Sequence, residues 1–427
     1  MATPSLAMIP SGYKASKVYS VLPESGVGDF DFTRATTATR VNSSGLIEEM
    51  AINVPRLEYP LIDGVVNGCP SLKLEPQRTN LIQYSEDFSQ SVWNTWQSTK
   101  TLSNNINPKG TNGYYEISHT GSSSDNPNTR LTNVSLNGSY TLSFFIKINQ
   151  SRYISLSIED YNGDRARVYF DTTNKTFTTI TNVGSPITNT SYSEFSNGWI
   201  RISLSVNLLN AVYDEVGIGI YNPSGSFPSA SGEVISVFGA MLEEQSYATS
   251  YIPTNGSTVT RNAETCNGAG DAATFNDSEG VLMAEISALA DDGTSRRISI
   301  SDGGISNRVS IEIDETADRL RLFIDSNSLQ VNNIGLTNFT KICGKYKAND
   351  YSLWVNGFEL ATLTTSSNVP SGLDRLNFDG GNLGNDFYGN TKQLQYYNSA
   401  LTDSELEKLT SWTSFSDMAN GQQYSII

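Results

Sequence analysis

Along most of the chain, apolar residues recur at every second position and almost nowhere at helical spacing. In NGWIRISLSVNL (197–208), Ile200, Ile202, Leu204 and Val206 alternate with Arg201, Ser203 and Ser205. A period of two marks a strand with one face buried and one face wet, so this stretch predicts a half-buried antiparallel strand. The same period runs through GSYTLSFFIKI (138–148), RYISLSIED (152–160), ARVYFDTTNKTFTTI (166–180), DEVGIGIYN (214–222) and GEVISVFGAMLEE (232–244). Roughly eight strands separated by turn signals predict a two-sheet jelly roll over residues 81–256.

The flanks differ from this middle block. Residues 1–80 carry only short alternating pieces, KVYSVL, FDFTRAT, TRVNSSGLIEE and PSLKLEP, between Gly and Pro punctuation. Their few apolar residues cannot close a core alone, so the segment is expected to lean on a partner surface or on the next domain as an extended attachment region. Residues 257–273, within TNGSTVTRNAETCNGAGDAA, read as a linker or seam. From 274 to 427 the strand pattern resumes. In YSLWVNGFEL (351–360), Asn356-Gly357 signals a type I′ hairpin and Trp354 reads as packing. LTDSELEKLTSW (401–412) predicts the one helix, with Thr402 as N-cap and Glu405 completing a capping box. The fold class expected is all-β: two tandem antiparallel sandwiches after an extended N-terminal region.

Composition narrows the class of function. Of 427 residues only 17% are charged while 10% are aromatic, which leaves a surface of Ser, Thr, Asn and Gly. A net charge of −16 with no basic patch argues against nucleic acid, whose phosphates require clustered Lys and Arg. No run reaches the length of a membrane helix and the N-terminus lacks a signal-peptide pattern, so neither membrane insertion nor standard export is expected. Cys69, Cys266 and Cys343 have no metal or disulfide spacing and read as free thiols. The single histidine, His119, lies in the polar stretch ISHTGSSSDNPN and reads as a surface loop.

Three stretches together carry a resemblance: SLKLEPQRTNLIQYSEDFSQSVWNTW (71–96), NGWIRISLSV (197–206), and GAMLEEQSYATSYIPT (239–254) followed by TRNAE. This set resembles tail-fibre, head-fibre and related virion proteins of tailed phages, and the opening PSLAMIPSGYKASKVYSVLP looks like those of Bacteroidetes-type hosts. The resemblance implies a carbohydrate-binding jelly roll followed by a concanavalin A/laminin-G-like sandwich. It also implies a non-enzymatic, homo-oligomeric, trimeric virion protein that contacts capsid or tail proteins through its N-terminal region and binds host surface glycan. A capsid decoration or adaptor protein with purely structural contacts is the alternative. A polysaccharide depolymerase ranks third, because the long repetitive β-helix expected of many is absent.

Candidate chemistry follows from that picture. Sugar binding needs flat aromatic faces beside planar polar groups. The middle block supplies Trp93, Trp96, Tyr153, Tyr161, Tyr169, Tyr213 and Tyr221, of which Trp93, Trp96, Tyr161 and Tyr221 are the candidates for ligand contact. Trp199, at a strand start, reads as scaffold. Glu243 and Glu244 are adjacent carboxylates, but neighbours on a strand point to opposite faces, so they make a poor acid and base pair. In FDGGNLGND (378–386), Asp379, Asn382, Asn385 and Asp386 are candidate ligands for Ca²⁺, while Asp160, Asn162 and Asp164 in DYNGD read as a plain turn.

Overall fold

The computed structural model describes residues 2–120, 128–147, 152–160, 163–184, 186–209, 214–221, 223, 233–414 and 417–418. Alternation becomes strand as expected: in Tyr153–Asp160, Ile154, Leu156 and Ile158 are fully buried, while Tyr153, Ser157 and Glu159 between them are half-exposed. Two six-stranded antiparallel sheets make the middle sandwich. The first runs Asn94–Trp96, Asn128–Val134, Asp214–Ile220, Tyr153–Asp160, Arg165–Asp171, Thr176–Val183. The second runs Ser98–Ile106, Asn112–His119, Val234–Glu243, Gly138–Lys147, Trp199–Leu208, Ile187–Phe195. Twelve strands thus stand where the apolar period predicts roughly eight. The additional ones are edge or polar strands such as Asn94–Trp96, Ser98–Ile106 and Ile187–Phe195, whose side chains are largely wet and so leave no apolar alternation to read.

The second sandwich pairs an eight-stranded sheet with a five-stranded one. The larger is ordered Phe358–Leu363, Tyr351–Val355, Thr340–Lys347, Glu279–Ala288, Gly389–Tyr397, Ser71–Leu74, Arg56–Glu58, with Leu6–Met8 also on Gly389–Tyr397. The smaller is Asn327–Asn332, Arg319–Ile324, Arg308–Ile313, Arg296–Ser301, Arg375–Asn377. At the hairpin after Tyr351–Val355, Asn356 (φ 50°) and Gly357 (φ 91°) both take the left-handed backbone of a type I′ turn. The helix Asp403–Thr410 has the capping box formed by Thr402 and Glu405, and it buries Leu406 against Val281, Met283, Cys343 and Trp354. All three cysteines are free, Cys69 exposed and the other two buried.

The N-terminal segment leans on a distant part of the chain. Leu6, Met8, Phe30, Phe32, Leu57, Leu72 and Leu74 share one core with Ile298, Ile311 and Leu322. Residues 1–80 therefore complete the C-terminal sandwich, and the middle sandwich is inserted between two halves of it. The chain enters through Arg78–Asn80 and leaves through Val259–Arg261, which pair with each other antiparallel. Within 257–273, Thr265–Asn267 also pairs with Phe30–Thr33.

At this crossing point lies a buried charge cluster. Arg34, Arg56, Arg261, Glu75 and Glu264 are each no more than 1% exposed. Arg34 Nη1 is 2.6 Å from Glu264 Oε1, and Arg56 Nε donates to the same oxygen at 2.8 Å. Arg56 Nη2 donates to Glu264 Oε2 as well. Arg56 Nη1 and Arg261 Nη1 both reach Glu75 Oε2 at 2.9 Å. Backbone closes the set: Glu75 N–H donates to Glu264 Oε2 at 2.9 Å, Ser250 N–H to Glu75 Oε1 at 2.9 Å, and Arg34 Nη2 to the Ala51 carbonyl at 2.7 Å. Burial alone raises a carboxyl pKa, but Arg261 and Arg56 outweigh it and hold Glu75 well below its ordinary 4.5.

Removing one partner of such a cluster strands the others without compensation, a loss of about 3–5 kcal/mol. Glu264→Gln is therefore expected to lower the urea midpoint strongly, and an unchanged midpoint would show that the cluster contributes little. Because the folded pKa of Glu75 lies below the unfolded one, its stabilisation is complete above about pH 4.5 and disappears as pH falls through the folded value. Thermal unfolding recorded from pH 6 to pH 3 should show this decline in the native chain and a shallower one in Glu75→Gln.

Candidate functional site

The outward face of the first middle-sandwich sheet is built by the strands that supply its core. Ile154, Leu156 and Ile158 turn inward with Ala166, Val168 and Phe170, so Tyr153, Ser155, Ser157 and Glu159 turn outward with Arg165, Arg167, Tyr169 and Asp171. Register aligns these side chains in rows, since directly opposite residues share a face. One row is Trp96, Asn128, Gly219, Ser155, Tyr169; the next is Asn94, Arg130, Gly217, Ser157, Arg167. Small residues thus form the floor of the central two strands. Gly217 is required there: a Cβ on it would lie 2.8 Å from the Arg130 Cβ.

Aromatic rings occupy one end of this face. Tyr169 and Tyr221, from the strands on either side of Tyr153–Asp160, stack with centroids 4.9 Å apart and planes 20° from parallel. Tyr153 meets Tyr169 edge-on at 5.3 Å and 84°. The Arg152 guanidinium lies 4.9 Å from the centre of the Tyr153 ring and forms two bonds to Asp171, 3.1 Å from Nε to Oδ1 and 2.9 Å from Nη2 to Oδ2. Those bonds to Arg152 outweigh the effect of burial and hold the Asp171 carboxyl below its usual range. Asp171 also accepts from the Thr173 and Asn174 N–H groups, which fixes the turn at the end of the platform. The three rings are half-buried, packed by one another and open on one side.

The other end is charged. Arg130, Glu159, Arg165, Arg167 and Glu215 line a recess of about 330 Å³. Arg130 Nη1 is 2.5 Å from Glu215 Oε2, and Arg167 Nη2 is 2.8 Å from Glu159 Oε2. From Glu159 to Tyr153 the face runs along six residues of strand, roughly 20 Å at the usual rise. Rings, small floor and paired ions together form an open groove that fits a short, flat, polar chain.

Residues singled out in the sequence are dispersed. Tyr221 joins the platform. Trp96 is 51% exposed on the edge strand of the same face, in the same row as Tyr169 but four strands from it. Trp93, three residues away, is a correction: it is 2% exposed, donates from Nε1 to the Tyr84 carbonyl at 2.9 Å and packs on Phe88 and Phe144, so no ligand reaches it. Tyr161, Asn162 and Tyr213 lie outside the described residues. His119 is also corrected: it is 2% exposed at the end of Asn112–His119, opposite Ser98, and not on a surface loop. Trp199 is fully buried and meets Tyr114 edge-on.

The expected calcium loop is organised as a clamp on its own backbone and neighbours. Asp379 is fully buried; its Oδ1 accepts from Gly381 N–H at 2.7 Å and its Oδ2 from Asn267 Nδ2 at 2.9 Å. Tyr388 OH donates to Asp386 Oδ2 at 3.2 Å, burial raises the Asp386 pKa, and the Asn385 carbonyl accepts from Arg297 N–H. Asn382 lies in the same turn. Among the described residues no group of three or more His, Cys, Asp or Glu side chains is placed to hold a metal ion. Asp164 Oδ2 likewise accepts from Leu209 N–H at 2.8 Å.

Glu243 and Glu244 do diverge. Glu243 is fully buried and accepts from Thr249 N–H at 2.9 Å and Thr249 Oγ1 at 2.6 Å, and burial raises its pKa, while Glu244 is exposed. Tyr251, just beyond, shares a 2.7 Å hydrogen bond with Ser85. Sequence reasoning missed Tyr153, Tyr169 and the arginines as a group. Their outward positions are readable from the period of two in RYISLSIED and ARVYFD, but which strands sit side by side is not.

No protein-family model matches the chain, and none of the curated proteins is similar to it. Among solved structures it is similar to the Ruminococcus gnavus IT-sialidase CBM40 bound to alpha2,3 sialyllactose, at 17% identity over 34% of this chain and 88% of that one, TM-score 0.29. Mouse laminin alpha1 chain domains LG4-5 match at 8% identity over 67% and 89%, TM-score 0.22. Trypanosoma rangeli sialidase matches at 13% identity over 90% of this chain and 77% of that one, TM-score 0.29. The last corrects one expectation: an enzyme stands among the structures this chain is similar to, so a non-enzymatic character is not carried forward. What the chain itself displays is an all-β architecture of stacked antiparallel sandwiches.

The two tryptophans give a direct check on these placements. Trp93→Ala empties a core site and should cost about 3–5 kcal/mol. Trp96→Ala should stay within about 0.5 kcal/mol of the native chain. Urea unfolding followed by circular dichroism measures both, and equal losses would contradict the positions given.

Proposed function

We propose that the middle sandwich binds glycan across its outward face, and that the chain does so as a fibre- or spike-type component of a phage virion. The observation that carries the binding half is the groove itself: a stacked tyrosine pair with a third ring edge-on, a floor of Gly and Ser, and guanidinium and carboxylate groups at one end. Sugar rings present flat C–H faces to aromatics and a rim of hydroxyls to planar polar groups, and this face offers both. The carbohydrate-bound module among the similar structures is in keeping with the reading. The virion half rests on the sequence resemblance and the polar, β-rich composition, as do the trimeric state, the virion location and the contact with capsid or tail proteins.

The experiment is a glycan array followed by titration calorimetry on the best-bound oligosaccharide. Tyr169→Ala, which removes the centre of the platform, should weaken binding about tenfold or more, equivalent to about 1.4 kcal/mol, while circular dichroism shows the chain still folded. Binding unaffected by that change, or no binding to any glycan on the array, would refute the assignment of this face. Mass spectrometry of purified particles tests the virion half, with the chain expected among their components.

A further inference from the structure

Building on the proposed glycan-binding face, we infer that the ligand is an acidic glycan, with a carboxylate or sulfate seated at Arg165. Glu159 is directly opposite Glu215 on one neighbouring strand and directly opposite Arg165 on the other. Two like charges side by side on a sheet are unfavourable unless cations separate them. Arg130 takes Glu215, and Arg167, one row along, takes Glu159. The carboxylate that faces Arg165 in register is thereby committed to a different arginine. Among the described residues Arg165 has no carboxylate in ion-pair contact, and it is exposed at the mouth of the recess.

The recess consequently holds three guanidiniums and two carboxylates. A local cationic excess is unusual on a chain of net charge −16, whose general field repels anions. Guanidinium is the side chain whose planar fork matches a carboxylate or sulfate with two parallel hydrogen bonds. Glu159 and Glu215 hold the neighbouring guanidiniums in place, so the anion meets a preformed cradle. Four residues along the same strand, roughly 13 Å away at the usual rise, Tyr169 begins the tyrosine platform, which receives the apolar face of another sugar residue in the same oligosaccharide. The groove therefore reads both the flat face and the charge of its ligand.

The test uses charge-matched probe pairs titrated into the full chain: an oligogalacturonide and its methyl ester for the carboxylate, and a sulfated carrageenan oligosaccharide and its desulfated form for the sulfate, alongside an array of acidic glycans and their neutral counterparts. The charged member of at least one pair should bind about tenfold tighter than the neutral one at low salt, with the preference shrinking as salt rises. Arg165→Ala should abolish that preference without shifting the unfolding midpoint, and Arg165→Lys should retain part of it. Equal binding of charged and neutral members, or a preference that survives Arg165→Ala, overturns this inference and leaves the glycan-binding reading intact. No binding to any member of the panel overturns both.

Discussion

Five buried charged side chains decide how this chain is assembled. Arg34 and Arg56 come from the N-terminal segment, Glu75 from just before the middle sandwich, and Arg261 and Glu264 from just after it. Isolated, each would be costly to remove from water; together they supply one another's hydrogen bonds, and backbone N–H and C=O groups absorb the remainder. Cooperativity follows, since no member can leave without stranding the rest. The cluster fastens the entry and exit of the inserted sandwich to the half-sheet that residues 1–80 donate to the C-terminal sandwich.

From that anchor the groove follows through strand geometry. A strand with a period of two can give one face to the core and the other to a ligand without conflict, and Arg165–Asp171 does so: Ala166, Val168 and Phe170 are buried while Arg165, Arg167, Tyr169 and Asp171 face out. Antiparallel pairing then gathers outward side chains from strands far apart in sequence, with Tyr221 stacking on Tyr169 and Arg130 lying over Gly217. Ion pairs along the face orient the guanidiniums at one end, and the Arg152–Asp171 pair fixes the rings at the other.

Much of this was legible in the residues and some was not. The strongly alternating strands, the helix capped by Thr402 and Glu405 and the Asn356-Gly357 hairpin follow from local rules and stand where local rules put them. Edge strands such as Asn94–Trp96 escape notice because exposed residues carry no apolar signal. Pairing of Leu6–Met8 with Gly389–Tyr397 spans nearly the whole chain, and nothing local encodes it. Trp93 and Trp96 are nearly adjacent and chemically identical, yet Trp93 packs on Phe88 and Phe144 in the core while Trp96 faces solvent on an edge strand. Glu243, whose strand position already makes it a poor partner for Glu244, is a buried acceptor that closes the turn to Thr249. The groove was half legible: the sequence shows which residues point outward, but the register that aligns Tyr169, Tyr221 and Arg165 is a property of the fold.

On our proposal, glycan lies on the outward face of the inserted sandwich. A crystal structure of the full chain with its best-bound oligosaccharide is the most direct measurement. A sugar ring is expected on the Tyr153, Tyr169 and Tyr221 platform, with an anionic group within hydrogen-bond distance of Arg165. An oligosaccharide seated on the C-terminal sandwich, with this groove empty, would contradict it.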